Sequence, residues 1–176
     1  MHVPPSCPFL PFDESHLEVS DRFFMQCAYN EALRAWQLGE IPIGAVAVID
    51  GKIAARSCNL VETRKDATAH AEMEIIRQLS AQKQDWRLND VKLYVTKEPC
   101  PMCSGALYKA RVKSVVIGLP DNMQGCLGGR LDFKDLRMYH KIDVSYEPLG
   151  NACDTLLRTF FLLRRQMYND KRENLC

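Results

Sequence analysis

The sequence predicts an α/β fold of three layers, α/β/α, in which a mixed five-stranded sheet is flanked by helices. Three observations carry this. Short β-branched runs alternate with longer stretches of helical periodicity, and strand–helix–strand units require parallel neighbours joined by right-handed crossovers. Two of the runs are joined by Asp50-Gly51, a two-residue hairpin signal that makes that pair antiparallel. No internal repeat or low-complexity segment interrupts the pattern. One domain over residues 20–176 is therefore expected, preceded by an N-terminal extension over 1–19.

The extension is proline-rich at first, then polar and acidic, a composition in which partial disorder is expected. Ser20 or Asp21 can cap a first helix over 22–38, whose stripe of Phe24, Cys27, Ala28, Ala32 and Ala35 faces a core; Gly39 ends it. Residues 43–49 are small and β-branched and form a buried strand, and 52–57 return as its partner. A polar loop over 59–67 leads to a second helix, with Thr68 as its expected N-cap and Met73, Ile75, Ile76 and Leu79 on its apolar side. A strand over 91–96, a helix over 101–110 and a strand over 112–117 follow. Gly125, Gly128 and Gly129 lie in a long loop; their spacing is not that of a phosphate loop and no Lys-Ser/Thr follows, so a flexible loop is expected. A short strand over 142–146 and a closing helix over 151–171 complete the order.

Composition narrows the class. With 176 residues, 47% hydrophobic and 26% charged, the chain resembles an ordinary globular domain. No apolar run approaches a membrane span, and the N-terminus lacks the basic and apolar regions of a signal peptide. Eight cysteines raise the question of a disulfide scaffold. A chain this long can bury a core without one, so free thiols and a reducing, cytoplasmic setting are expected. Residues 1–103 hold 11 Lys and Arg against 14 Asp and Glu, while 104–176 hold 12 against 8. The basic downstream part permits a polyanionic partner without requiring one. His2, His16 and His140 have no partners at telling spacing and are expected at the surface.

Two short stretches carry the chemistry. Thr68-Ala69-His70-Ala71-Glu72 supplies an imidazole and a carboxylate, and Glu98-Pro99-Cys100-Pro101-Met102-Cys103 supplies two thiols. Catalytic zinc takes three protein ligands from His, Cys, Asp or Glu and keeps a fourth position open. His70, Cys100 and Cys103 fill that set, giving one Zn2+ per subunit, and mixed His/Cys ligation favours zinc over iron. Glu72, two residues beyond His70, is off that residue's helical face. It is left over as a general acid and base. Both stretches are expected to open helices, whose amide N–H groups favour thiolates. Alone, the Cys-x-x-Cys pair could equally be a redox pair or part of a structural zinc knuckle.

His-x-Glu followed by Pro-Cys-x-x-Cys matches the general signature of zinc-dependent nucleobase deaminases. Over residues 22–168 the chain further resembles the bacterial tRNA-specific adenosine deaminases, members of the cytidine deaminase-like superfamily. The resemblance rests on Glu40-Ile41-Pro42-Ile43-Gly44-Ala45-Val46, Asn59, Ala69-His70-Ala71-Glu72, and Leu93-Tyr94-Val95-Thr96 leading to Glu98-Pro99-Cys100. Gly118-Leu119-Pro120-Asp121 and Phe160-Phe161-Leu162-Leu163-Arg164-Arg165-Gln166 single out the tRNA enzymes.

The resemblance implies a cytidine deaminase-like fold and hydrolytic deamination of adenosine to inosine at wobble position 34 of an arginine tRNA with an ACG anticodon. It also implies metal ligation by His70, Cys100 and Cys103, and proton transfer by Glu72. Asn59 would hold the flipped nucleotide, with Pro42 and Asp121 also at the substrate and Arg164 and Arg165 at its phosphates. The implied partners are a tRNA anticodon loop and a second copy of the chain, with neither membrane nor DNA. Two departures stand out: Ala67 where the family often has proline, and Pro120 where a basic residue commonly precedes the aspartate. A deaminase of a free base or nucleotide, such as guanine or cytosine, would share the zinc set but have no use for a basic final helix. A non-catalytic subunit of the same fold would be expected to lose Glu72.

Overall fold

In a computed structural model, residues 5–15, 19–136, 138–147, 149 and 151–173 are described. Helix α1 spans Asp21–Gln37, and the Ser20 side chain caps it by accepting from the Phe23 amide. Strands β1 (Gly44–Ile49) and β2 (Lys52–Cys58) form the expected hairpin. Asp50 and Gly51 both take positive φ, 49° and 72°, as a tight primed turn demands. A four-residue helix, α2 (Val61–Arg64), sits where the sequence suggested only a loop. Then come α3 (Ala71–Lys83), β3 (Lys92–Val95), α4 (Pro101–Lys109), β4 (Ser114–Ile117), β5 (Asp143–Tyr146) and α5 (Ala152–Glu173).

The strand order is β2-β1-β3-β4-β5. β1 is antiparallel to both β2 and β3, while β3, β4 and β5 run parallel, so the sheet is mixed and five-stranded as expected. Alternation along the central strands feeds two cores. Ala45, Ala47, Leu93, Val95, Val115 and Ile117 face Ile75 and Leu79 of α3 and Leu107 of α4. Val46, Val48, Tyr94 and Val116 face Met25 and Trp36 of α1 and Leu156 and Phe160 of α5. Covering both faces explains why these strands are apolar on consecutive residues, 45–49, 93–95 and 115–117, rather than alternating with polar ones. α1 lies almost on β1: a Cβ at Gly44 would collide with the Ala28 carbonyl and the Ala32 amide. The small residues in the α1 stripe allow that approach.

Within the expected extension, residues 5–15 lie along α1. Phe9 packs on Trp36 and Phe12 on Tyr29 at ring distances of 6.1 and 5.2 Å. The Trp36 indole donates to the Pro5 carbonyl at 2.6 Å, and Arg56 pairs with Glu14 through two bonds of 3.0 and 2.8 Å. Residues 1–4 and 16–18, and with them His2 and His16, lie outside the described residues, as does Cys176. His140 is a correction. It is half-buried, its Nε2 2.8 Å from the carbonyl of Val112, two residues before β4. No helix is long and apolar enough to cross a membrane among the described residues.

Candidate metal centre and active-site cleft

His70 and Cys100 each occupy the N-cap position of a helix, α3 and α4. The expected cap, Thr68, is corrected. Its hydroxyl and amide both donate to Asp66 Oδ1, at 2.7 and 2.8 Å, closing a turn before the helix. His70 takes the cap position with extended backbone (φ −72°, ψ 155°) and makes no side-chain cap bond. Its ring is turned instead to the sulfurs. Nδ1 lies 3.7 Å from Cys100 Sγ and 3.5 Å from Cys103 Sγ. Pro101 opens α4, where its missing N–H costs nothing. Cys103 follows one turn later and is fully buried.

The three ligand atoms lie within 4.8 Å of one another. Tetrahedral zinc with Zn–N near 2.1 Å and Zn–S near 2.3 Å needs N···S edges of about 3.6 Å. The observed edges match that, so the residues fit a zinc ion. Proton sharing tells the same story. A hydrogen bond from Cys103, and next the His70 ring, hold the Cys100 thiol down to about 4. Cys103 is held far up by the proton it shares with Cys100 and by burial. The proton shared by the two sulfurs is one that a bound zinc ion would displace, leaving both as thiolates.

Glu72 lies in the first turn of α3 and is 4% exposed. Burial raises its pKa above the ordinary carboxylate range. It lines a cleft of about 1280 Å³ together with His70, Cys100, Asn59 and Asp121. Asn59 is buried, and its Nδ2 donates to Glu40 Oε2 at 3.1 Å. Asp121 is 8% exposed, pairs with Lys97, and accepts from the Met123 and Gln124 amides at 2.9 and 3.2 Å. Burial works against its charged form, yet Lys97 and the two amides together hold its pKa down. Arg164 and Arg165 also line the cleft, Arg164 over the Phe160 ring and donating to the Gly39 carbonyl at 3.3 Å. Pro42 is not brought to the cleft: it is buried, and its neighbours Ile41 and Ile43 form the wall.

Three residues that line the cleft escaped sequence reasoning. Glu40 is fully buried and accepts from the amides of Glu62 and Thr63 (3.1 and 2.6 Å) as well as from Asn59. Glu98 is 3% exposed and accepts from the amides of Asp121, Leu127 and Gly129 at 2.8, 2.9 and 2.8 Å. A Cβ at Gly125 or Gly129 would strike the Glu98 carboxylate. Those glycines therefore serve close approach, a correction to the expected flexible loop. Lys97, the third, lies in the cleft wall. The only sequence signal for Glu40 and Glu98 is their place in the stretches that carry the resemblance.

Residues 18–119 match the family described as the cytidine and deoxycytidylate deaminase zinc-binding region. Over 158 residues the chain is 42% identical to the tRNA-specific adenosine deaminase of Bacillus subtilis (strain 168), spanning 89% of this chain and 98% of that protein. A solved structure from studies of A-to-I editing by tRNA:A34 deaminases at the wobble position of transfer RNA shares 39% identity. It superposes with a TM-score of 0.67 over 70% of this chain and 96% of that one. The guanine deaminase of Bacillus subtilis shares 43% identity at a TM-score of 0.52, over 55% of this chain and 62% of that one.

Proposed function

Because this chain belongs to the tRNA-specific adenosine deaminases, within the cytidine and deoxycytidylate deaminase zinc-binding family, we propose that it converts adenosine to inosine by hydrolytic deamination at wobble position 34 of a tRNA. An arginine tRNA with an ACG anticodon is the expected substrate. The observation that carries the proposal is a buried carboxylate, Glu72, which is not one of the three ligands, beside a His/Cys/Cys zinc set in a cleft of about 1280 Å³. Sites for free small molecules run about 300–1,000 Å³. A cleft larger than that, with arginines at one wall, suits a nucleotide still joined to its chain.

When bound, zinc supplies a water acidified toward neutrality. The remaining work falls to this chain. Glu72 takes one proton from the attacking water and delivers it to N1 of the adenine ring, then takes the second from the new C6 hydroxyl and delivers it to the amino group, which leaves as ammonia as the C6–N bond breaks; its buried setting keeps it basic enough for both transfers. Asn59, oriented by Glu40, holds the ring edge. The turn that Asp121 closes forms the wall over the ring, and Arg164 and Arg165 take backbone phosphates. The base must leave its stack to reach this floor, which favours an unpaired anticodon loop.

A homodimer belongs to the proposal. Exposed Leu131, Leu136, Met138 and Tyr139 follow the cleft loop and offer apolar surface to a second copy. The seven described cysteines are all free, which suits a reducing cytoplasm, and RNA rather than DNA is the expected nucleic acid. The test is inosine formation by the zinc-loaded protein on an adenosine-34 anticodon stem-loop beside free adenosine, guanine and cytosine. Conversion of the stem-loop alone is expected. Turnover of a free base with the RNA untouched would favour the guanine-type reading suggested by the 43% identity to a guanine deaminase.

A further inference from the structure

We infer that Lys97 is a substrate-binding residue: its ammonium, anchored by Asp121 in the cleft wall, holds a backbone phosphate beside the target nucleotide. The inference rests on the RNA-deaminase reading above and names a contact within that same site.

Lys97 follows β3 and stands three residues before Cys100, so the backbone that carries the metal ligand also carries this cation. It lines the same cleft as Glu72 and His70. Its Nζ donates to Asp121 Oδ2. Asp121 is itself spent on the turn it closes, its other oxygen accepting from Met123 and Gln124. The Lys97 side chain keeps 30% of its surface exposed, against 9% for Asp121. The pair thus has one face in the protein and one in the cleft. An ammonium carries three donors, and among the described residues Asp121 is the one acceptor that reaches it. The remaining donors are available to a ligand.

The charge layout says which ligand. The cleft's other lining cations, Arg158, Arg164 and Arg165, all belong to α5, and Arg158 is paired with Asp154 at 2.6 Å. The wall beside the metal set carries Glu72, Glu98 and Asp121. Without Lys97, Glu72, Glu98 and Asp121 would be the charged side chains that an RNA reaching from α5 to the metal meets on that side. A compact, partly hydrated ammonium suits a phosphate as a point charge. A neutral free base has no phosphate, so Lys97 should matter for a nucleotide chain and not for a base. A lysine that served only as counter-ion to Asp121 would instead affect every substrate equally and be indifferent to salt.

The test uses full-length, zinc-loaded protein with Lys97→Met, which keeps the aliphatic stem, and Lys97→Arg. Binding of the anticodon stem-loop is followed by anisotropy across a salt series, with inosine formation measured in parallel. For Lys97→Met, a KM and Kd raised roughly tenfold at low salt are expected, with kcat within about twofold of wild type and the salt slope shallower by about 1. The deficit should then shrink about threefold between 50 and 200 mM salt. Lys97→Arg should recover most of the binding. An unchanged salt slope, or a loss confined to kcat, would overturn the inference. The wild-type rate on the stem-loop tests the underlying reading, while the difference in binding slopes tests Lys97 even if that rate is zero.

Discussion

Replacing Glu98 with glutamine removes one oxygen and one charge from a site 3% exposed, where three backbone N–H groups converge on the carboxylate. Oε1 serves Leu127 and Gly129, and Oε2 serves Asp121. The best glutamine orientation points its carbonyl at the first two and its NH2 at the Asp121 amide, donor against donor. One buried N–H is then left without an acceptor, at about 1–3 kcal/mol. The two surviving bonds lose their charge assistance, which is roughly half their strength. Set against the easier burial of a neutral group, a net loss of about 3 kcal/mol follows. For a chain of 176 residues, that corresponds to a fall in Tm of roughly 6–12 °C. Activity should fall further than stability alone explains, because the loop carrying Asp121 is hung from this carboxylate. Thermal unfolding of the zinc-loaded proteins, with inosine formation measured well below either Tm, is the assay. A Glu98→Gln protein within 2 °C of wild type and equally active would refute the idea that this carboxylate anchors the loop.

Three other outcomes are expected. Glu72→Gln should retain zinc and bind the stem-loop but lose roughly 10²–10⁴-fold in turnover; metal analysis and single-turnover inosine formation check this, and retained activity would sink the role given to Glu72. Removal of metal by a strong chelator should abolish activity and lower Tm, since three ligands with no metal leave two thiols sharing protons in a buried site. Added zinc should restore both, and a chelated protein at full activity would rule the metal out. Glu14→Gln should cost roughly 0.5–1 kcal/mol at neutral pH, after allowing for solvent at the half-exposed pair with Arg56. The Arg56 bonds hold the Glu14 carboxyl below its ordinary 4.5. A lowered folded-state pKa gives stability that is complete above the ordinary carboxylate range and is lost as pH falls through the folded value. The gap between wild type and variant should therefore close in acid, and a gap unchanged at low pH would argue against the ion pair.

The metal set was legible in the sequence because metal chemistry constrains residue type and spacing together. A Cys-x-x-Cys turn and a His at a helix start can be recognised without knowing where the chain goes in between. The sheet was legible for a related reason: β1 is apolar or glycine throughout, and β3 and β4 are apolar at every position after Lys92 and Ser114, which a two-sided core explains. Glu40, Glu98 and Lys97 were not legible. Each acts through partners 19 to 31 residues away, and nothing in a lone glutamate or lysine indicates which distant amide or carboxylate will meet it. Thr68 misled for a local reason, since Asp66 offered its hydroxyl and amide a nearer acceptor than the helix did. The packing of Phe9 and Phe12 was hidden by a proline-rich composition that also suits disorder.

The two helix starts explain why one carboxylate can act beside two thiolates without being neutralised by them. His70 and Cys100 are both N-caps, so the free amides of α3 and α4 converge on the cluster, and such ends favour negative charge. Glu72 sits in the first turn of α3, inside that field. Burial raises its pKa, while the amides and the metal's positive charge pull the other way. A carboxylate balanced between these pulls can both accept a proton and give it up, which deamination requires twice in one cycle. Moving the acid one residue along, to position 71 or 73, would leave the charge count unchanged but rotate the carboxylate by about 100° around the helix, away from the cleft. The separation of His70 and Glu72 by a single residue is therefore a geometric requirement of the proton transfer as well as a motif.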